Sequence, residues 1–226
     1  MSMTKVLELA RADLGYTEDP PGSNRTKYWE SYDPKMQGQP WCVSCQWDWF
    51  NQAGERMAFF GGGKVASCST LLRWYREQGL TVPVEQVRPG DIVILNFHGT
   101  KDTEHCGLVE KVAHGDDGKV QAIFTIEGNT TPSGNEYGPE ANGGCVAFKT
   151  RYPRQIVGVC RPQYKPEEPE KIDDITGHWA EKAIRRCMER GLMRGYPDGS
   201  FQPDKPVTRA ELAVILDRLD KEDDMR

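Results

Sequence analysis

Cys42, His105, Glu127 and Asn129 are the residues whose types and order could carry out thiol chemistry. A cysteine attacks a carbonyl carbon as a thiolate, and a nearby imidazole accepts the thiol proton and later returns it. A carboxylate or an amide then orients the imidazole. Each residue alone has an ordinary structural explanation, as a buried thiol, a histidine before a strand or part of a turn. Their occurrence together in this order favours a cysteine-dependent hydrolase.

The thiol is predicted to lie in the first turn of a helix covering residues 41–53. Pro40 disfavours helix before Cys42, and Gly54 ends the helical pattern. The positive end of the helix dipole lowers the pKa of a thiol placed there and so enriches the thiolate.

The other candidate residues are predicted on strands. His105 precedes an apolar stretch, residues 108–112, that is typical of a strand. Glu127 and Asn129 lie two positions apart on a second predicted strand, residues 123–130, so they are expected to project from one face. A carboxylate and an amide would then converge on one imidazole.

The order of the elements predicts an α+β fold for the first part of the chain. A helix capped by Ser67 ends at Gly79, and consecutive apolar strands follow the turn at Pro89-Gly90-Asp91. Helices followed by a run of strands favour an antiparallel sheet with the helices packed on it.

Composition excludes several classes of protein. The 226 residues carry a net charge of −5, which argues against nucleic acid as a partner. With 28% charged residues, no apolar run approaches the roughly 18 residues that a membrane span needs. The first five residues lack the apolar core of a signal peptide, so synthesis in the cytoplasm without a signal peptide is expected.

The seven cysteines, an odd number scattered along the chain, do not indicate a disulfide framework. Cys42 and Cys45 form the sole C-x-x-C pair, which leaves a redox pair or a zinc site as a minor alternative. Cys45 either packs in the core, which is the favoured interpretation, or provides a second thiol near the site. Thiol hydrolysis needs no metal and no cofactor, and none is predicted.

A change of composition divides the chain into residues 1–164, a Pro/Glu-rich linker at 165–171, and a small helical segment at 172–226. In the last segment, apolar residues at helical spacing predict two helices, and Thr208 and Glu211 form a capping box for the second. The predicted apolar faces consist of Ala180, Ala183, Ile184, Cys187 and Met188 in one helix and Leu212, Ile215, Leu216 and Leu219 in the other.

The first 164 residues resemble the CHAP family, the cysteine, histidine-dependent amidohydrolases and peptidases of bacterial and phage cell-wall hydrolases. The motifs that carry the resemblance are Gly15-Tyr16-Thr17-Glu18, the segment 24–29, Pro40-Trp41-Cys42, residues 89–93, residues 105–109 and residues 126–130.

The CHAP resemblance implies a papain-like fold in which Cys42 is the nucleophile, His105 the base and Glu127 the residue that orients His105. Asn129 matches a further polar position beside the site. The oxyanion of the reaction is expected to bind the backbone N–H of Cys42. Three side chains just upstream are candidates for assisting the oxyanion or the substrate: Gln37, Gln39 and Trp41.

Residues 174–219 resemble an S-layer homology repeat, on the motifs Asp174-Ile175, His178-Trp179-Ala180, residues 195–201 with Pro203, and Thr208-Arg209-Ala210-Glu211. This resemblance implies binding to secondary cell-wall polysaccharide, with Trp179 as an aromatic face and Arg209 as a cation. Both side chains also have structural explanations, Trp179 in the core and Arg209 on the helix surface.

The S-layer homology family usually presents three repeats, whereas this chain shows one. The small segment is therefore expected either to self-associate or to pack its apolar faces on another apolar surface.

Two classes of function follow. The favoured one is a peptidoglycan hydrolase of the endolysin kind that cleaves an amide, as an N-acetylmuramoyl-L-alanine amidase or an endopeptidase, and a host autolysin of the same chemistry is its variant. The other is an inactive wall-binding protein. The resemblance to phage endolysins further implies accumulation in the cytoplasm and access to the wall on lysis.

Overall fold

The structure, a computed structural model, describes residues 3–132, 142–166, 173–196 and 198–223. The chain divides into two compact units, Met1–Glu167 and Glu168–Arg226. Most of the predicted linker, residues 165–171, lies outside the described residues. Lys165 is described and belongs to the first unit, where its backbone N–H donates to Glu55 Oε2 at 3.3 Å. The predicted roles of residues 1–164 as the catalytic domain, 165–171 as a linker and 172–226 as the wall-binding repeat stay predictions.

Helices make up the first part of the first unit. Ser67 Oγ accepts from the backbone N–H of Thr70, so the predicted cap of the fifth helix is present. Thr26 Oγ1 caps the second helix in the same way by accepting from Trp29 N at 3.3 Å. The helices are α1 (Met3–Ala12), α2 (Lys27–Tyr32), α3 (Cys42–Gln52), α4 (Arg56–Phe60) and α5 (Cys68–Glu77).

A six-stranded sheet, antiparallel throughout, follows the helices in the order β1-β6-β2-β3-β4-β5. The last strand in sequence inserts between the first two, so the sheet is not a simple meander. Its strands are β1 (Thr81–Val82), β2 (Ile92–Leu95), β3 (His105–His114), β4 (Val120–Thr130), β5 (Cys145–Arg151) and β6 (Ile156–Cys160).

The helices and the sheet share one apolar core. Trp29, Trp41 and Trp49 are completely buried there, together with sheet residues such as Ile94 and Leu108. Burial of side chains this large supplies most of the free energy that holds helices on a sheet. The prediction of an α+β unit with an antiparallel sheet is confirmed, and the papain-like arrangement stays a prediction.

The described residues of the second unit include α6 (Glu181–Glu189) and α7 (Arg209–Asp223). The capping box is present, since Thr208 N donates to Glu211 Oε2 at 2.8 Å and Glu211 N donates to Thr208 Oγ1 at 3.2 Å. The carboxylate of Asp174 accepts the backbone N–H groups of Phe201 at 2.8 Å and Gln202 at 2.6 Å. These two bonds hold the start of the unit against the loop before α7.

The predicted apolar faces of α6 and α7 are only partly covered. Ile184 is buried at 7% exposure, whereas Leu212 and Leu216 remain 47% and 53% exposed. Two short helices enclose too little volume to cover both faces. Self-association through these residues stays a prediction. No helix among the described residues of either unit is long and apolar enough to cross a membrane.

Candidate active site

Cys42 is the first residue of α3, as predicted, and its side chain is buried. The first backbone N–H groups of a helix have no partner within the helix, so the thiol lies where the helix dipole is positive. Hydrogen bonds with Cys106, then Cys68, then His105 lower the pKa of Cys42 well below its ordinary value. A low pKa favours the thiolate, which is the nucleophilic form.

His105 is the first residue of β3 and is 1% exposed. Burial alone would lower the pKa of its imidazole. The close contacts with Cys42 and Glu127, together with the charge of Glu127, outweigh burial and raise this pKa to about 10. The opposite shifts of the thiol and the imidazole favour a thiolate beside an imidazolium.

Glu127, on β4, completes the group. Its Oε2 lies 3.0 Å from Nε2 of His105, at ion-pair distance but away from the direction of a straight hydrogen bond. Burial would raise the pKa of the carboxyl, but Arg151 and then His105 lower it to about 2. The structure therefore brings Cys42, His105 and Glu127 together with the carboxylate on the imidazole.

Two neighbours of Glu127 were not predicted from the sequence. Arg151, on β5, donates from Nε to Oε1 at 2.8 Å and from Nη2 to Oε2 at 2.5 Å. Thr125 Oγ1 donates to Oε1 at 2.6 Å. A motif search cannot find Arg151, because it contacts Glu127 across paired strands. The one sequence signal was an arginine at the end of a strand, Cys145–Arg151, that begins with four apolar residues.

Gly107 leaves the space that the carboxylate occupies. A Cβ atom at Gly107 would lie 2.9 Å from Cγ of Glu127 and 3.0 Å from its Oε1. Any side chain at this position of β3 would displace Glu127 from His105. Because Gly107 has no side chain, the carboxylate of Glu127 can lie against the imidazole of His105.

The amide of Asn129 forms hydrogen bonds with the chain before β5, and among the described residues none of its hydrogen bonds is to His105. The backbone of Asn129 has φ +58°, which interrupts the alternation of the strand on which the expected convergence relied. Its Oδ1 accepts from Gly144 N at 3.4 Å, and its Nδ2 donates to Asn142 Oδ1 at 3.3 Å. The amide therefore holds the chain that leads into β5. A role for Asn129 in the reaction stays a prediction.

The three candidates upstream of the thiol have structural contacts. Gln37 exchanges hydrogen bonds of 2.9 Å with the backbone of Thr26, at the start of α2. The backbone carbonyl of Gln39 accepts from Trp29 Nε1 at 2.8 Å. Trp41 is completely buried. A role for any of the three toward an oxyanion or the substrate stays a prediction.

Cys45 packs in the core, in agreement with the favoured interpretation. A Cβ atom at Gly128 would lie 2.5 Å from its sulfur and 2.9 Å from the ring of Trp41. The close approach of β4 to α3 thus requires a glycine between Glu127 and Asn129. Burial raises the pKa of Cys45 well above its ordinary value, so this thiol stays protonated.

The glycan-binding candidates of the second unit are both on its surface. Trp179 is 90% exposed, so the alternative that it belongs to the core is wrong. Arg209 is exposed at the first position of α7. Within the same unit a cleft of about 430 Å³ lies beside α7, and neither candidate lines it. Residues that line the cleft include Tyr196, Phe201, Lys205, Val214 and Arg218.

Residues 171–213 match the family model described as the S-layer homology domain, so this segment is such a domain. The outer membrane protein SlpA of Deinococcus radiodurans is 45% identical over 58 residues, which are 26% of this chain and 5% of that protein. Cell surface glycoprotein 1 of Acetivibrio thermocellus is 51% identical over 54 residues, or 24% and 2% of the two chains. The cellulosome-anchoring protein of the same organism is 50% identical over 48 residues, or 21% and 11%.

The chain thus spans only a small part of each of these relatives, between 2% and 11% of their length. A solved structure titled "The crystal structure of Ly7917" superposes on 72% of this chain and 63% of that chain, with 17% identity and a TM-score of 0.42. That similarity is too low to establish a shared fold.

The relatives contradict the predicted cellular location of this protein. Their names place them at the outer membrane or the cell surface, which conflicts with accumulation in the cytoplasm and release on lysis. The prediction of a cytoplasmic origin without a signal peptide is therefore wrong. It relied on five residues at the start of the sequence, and these do not determine how a chain reaches the surface.

Proposed function

We propose that this protein is a cell-wall hydrolase of the CHAP kind that cleaves an amide bond of peptidoglycan at the cell surface. The observation that carries the proposal is the convergence of Cys42, His105 and Glu127, with the carboxylate 3.0 Å from the imidazole. The three side chains come from a helix start and two adjacent strands and are buried together. Buried groups with opposed pKa shifts are typical of a catalytic site.

The reaction begins with attack of the Cys42 thiolate on the amide carbonyl carbon. Backbone N–H groups at the start of α3 stabilise the oxyanion that forms. The imidazolium of His105 donates its proton to the leaving amine, the C–N bond breaks, and a thioester remains on Cys42. His105 then accepts a proton from water, whose oxygen attacks the thioester and releases the carboxylate product and the thiolate.

Glu127 acts through His105 in this scheme. The carboxylate stabilises the imidazolium and fixes the orientation of the ring, while Arg151 and Thr125 hold the carboxylate in turn. This chain of contacts orients His105 while leaving its proton available for transfer.

The S-layer homology domain supplies the anchor in this proposal. A relative of this segment is a cellulosome-anchoring protein. We assign secondary cell-wall polysaccharide as the ligand, with the exposed ring of Trp179 stacking on a sugar and Arg209 pairing with an acidic substituent. The anchor would hold the hydrolase on its insoluble substrate and raise its local concentration.

A wall-binding protein without hydrolase activity is the competing function. It is favoured by the fact that the three relatives named above each match only 21–26% of this chain, and that the matching family model covers residues 171–213. In that case the first unit would serve as a scaffold, and Cys42 would not catalyse hydrolysis.

Loss of turbidity of purified cell walls distinguishes the two functions. The wild type should clear the suspension, and Cys42→Ala should not. Cys45→Ala is the matched control, because it removes a buried thiol one turn later on the same helix and is expected to keep the activity. Equal clearing by wild type and Cys42→Ala would refute the thiol mechanism, and no clearing by the wild type would favour the scaffold.

Mass spectrometry of the released fragments identifies the bond that is cleaved. An amidase releases free stem peptides with glycan that lacks them, whereas an endopeptidase leaves part of each peptide on the glycan. The same reaction with Glu127→Gln should be slower by about 10²–10⁴-fold, because the imidazolium loses its countercharge. Full activity in Glu127→Gln would remove the carboxylate from the mechanism.

Co-sedimentation of the full chain with walls tests the anchor. Trp179→Ala and Arg209→Ala should each weaken binding to intact walls. Arg186→Ala, an exposed arginine on α6, and Met57→Ala, an exposed apolar side chain of the first unit, are the controls. Walls stripped of their polysaccharide should bind all variants equally poorly. Undiminished binding to stripped walls would show that the polysaccharide is not the ligand.

A further inference from the structure

Three cysteine sulfurs meet beside the candidate active site. Cys42 is the first residue of α3, Cys68 the first residue of α5, and Cys106 the second residue of β3. All three are buried, and their Sγ atoms lie within 4.8 Å of one another. The sulfurs of Cys42 and Cys68 are 3.9 Å apart. The thiol mechanism uses one of these sulfurs and gives no chemical task to the other two.

The separations of the three sulfur atoms suit a metal ion that prefers sulfur ligands in tetrahedral coordination. With zinc–sulfur bonds of about 2.3 Å, two sulfurs on one tetrahedral zinc are separated by about 3.8 Å. The separation between Cys42 and Cys68 already has this value within about 0.1 Å, and Cys106 would need to move by an ångström or less. Because the sulfurs come from three separate elements, small shifts of the side chains suffice.

Burial raises the pKa of the Cys106 thiol well above its ordinary value, so a bound ion has to displace the proton. Neighbouring groups favour the negative charge that the ligands then carry. Helices α3 and α5 both begin at a ligand, so two positive helix ends point at the cluster. Nε2 of Gln46 donates to the sulfur of Cys106 at 3.1 Å. Amide donors of this kind hold thiolate ligands in place and raise their affinity for metal. Cys42 and Cys68 retain 9% and 8% exposure, which leaves an entry path.

We propose that Cys42, Cys68 and Cys106 form a binding site for Zn²⁺, with three thiolate ligands and a water in the fourth position. Each thiol releases its proton when the ion binds. Zinc at this site would hold the Cys42 sulfur in a metal bond and so suppress the attack on the amide. That consequence rests on the proposed hydrolase function, whereas the binding itself does not.

The site differs from the one that the sequence suggested. A zinc site at the C-x-x-C pair would use Cys45, but the sulfur of Cys45 packs against Gly128. The thiols that accompany Cys42 are instead distant in sequence, at positions 68 and 106, and only folding brings them together.

Titration of the reduced full chain with Co²⁺, in the absence of oxygen, tests the binding. Wild type should take up one ion with the intense absorption of thiolate-to-cobalt charge transfer, and one equivalent of Zn²⁺ should displace it. Cys68→Ser and Cys106→Ser should each weaken binding by about 100-fold or more. Cys45→Ser and Cys187→Ser are the matched controls and should bind as the wild type does. Absorption that persists unchanged in Cys68→Ser and Cys106→Ser would overturn the proposal.

X-ray absorption at the zinc edge tests the wild type without any substitution. The expected first shell has three sulfurs at about 2.3 Å and one light atom. A shell of nitrogen and oxygen alone would overturn the site.

Wall clearing measured against Zn²⁺ concentration separates this proposal from the hydrolase. Clearing should fall with the same concentration dependence as the binding and return with a chelator. Binding without any clearing in metal-free buffer would refute the hydrolase and leave the metal site standing. Wall clearing by a protein that binds no Zn²⁺ would refute the metal site and leave the hydrolase proposal standing.

Discussion

Arg151 and Glu127 form a two-point ion pair that is completely buried, with distances of 2.8 Å and 2.5 Å between their nitrogen and oxygen atoms. The same carboxylate contacts the imidazole of His105. Removal of either partner leaves a charge in an environment from which water is excluded, which costs far more than the pair contributes. The arginine is thus a positioning residue for the candidate active site.

Arg151→Met should destabilise the protein and slow wall clearing. We expect the free energy of unfolding to fall by about 3–5 kcal/mol, because the buried carboxylate of Glu127 loses its two-point partner and keeps only its contacts with His105 and Thr125. Denaturant unfolding measures the loss, and Arg154→Met, an exposed arginine a few residues later, is the control. The double variant Arg151→Met/Glu127→Gln should recover part of the stability and none of the activity. Additive losses in the double variant would contradict the pairing.

The free energy of unfolding should depend on pH through Glu127. Its pKa in the folded protein is about 2, below the ordinary value of 4.5, so the carboxylate stabilises the fold fully above pH 4.5. As pH falls from 4.5 toward 2, the unfolded chain takes up the proton first, and on the order of 3 kcal/mol is lost. The measurement is the difference in unfolding free energy between wild type and Glu127→Gln, which should shrink over this range. A constant difference would show that the carboxyl is not held in its charged form.

The sequence predicted the elements of the site better than its supporting contacts. The helix start at Cys42, the strand start at His105 and the position of Glu127 depend on local patterns, and these patterns were sufficient. Arg151 was missed because its partner lies on a neighbouring strand. The expected convergence of Asn129 assumed a period of two along the strand, and the positive φ of this residue interrupts that period.

The long-range pairing of the strands was also not predicted from the sequence. The insertion of β6 between β1 and β2 follows from strand order in space, which no local pattern encodes. In the second unit, α6 and α7 lie where the sequence shows apolar residues at helical spacing. Because so small a segment buries little, its apolar faces were expected to need a further surface, and Leu212 and Leu216 remain exposed.

Gly128→Ala should weaken the contact between β4 and α3. The new Cβ would lie 2.5 Å from the sulfur of Cys45 and 2.9 Å from the ring of Trp41. We expect a loss of about 1–3 kcal/mol in the free energy of unfolding, as for other overpacked cores. Cys45→Ala in the same chain should restore part of it by removing the sulfur. Gly63→Ala, where the nearest atom lies at 3.3 Å, should cost less than Gly128→Ala.

Asp174→Ala should destabilise the anchor without affecting the first unit. The carboxylate accepts two backbone N–H groups, at 2.8 Å from Phe201 and 2.6 Å from Gln202, and its loss leaves both without this partner. We expect about 1–3 kcal/mol, measured by hydrogen exchange of the second unit. Asp204→Ala is the control, because that side chain is 88% exposed. Equal protection in the two variants would show that Asp174 does not hold the loop.

The thiol belongs to the helical layer, whereas the imidazole and the carboxylate belong to the sheet. The proposed catalytic geometry therefore depends on how the helices pack on the sheet, and a shift of about 1 Å between the two layers is enough to reduce a rate 100-fold. Mild denaturant or gentle heating should accordingly abolish wall clearing while helices and strands are still intact. Wall clearing would then report on the packing of the helices against the sheet, and it would be more sensitive to loosening of that packing than any measure of secondary structure.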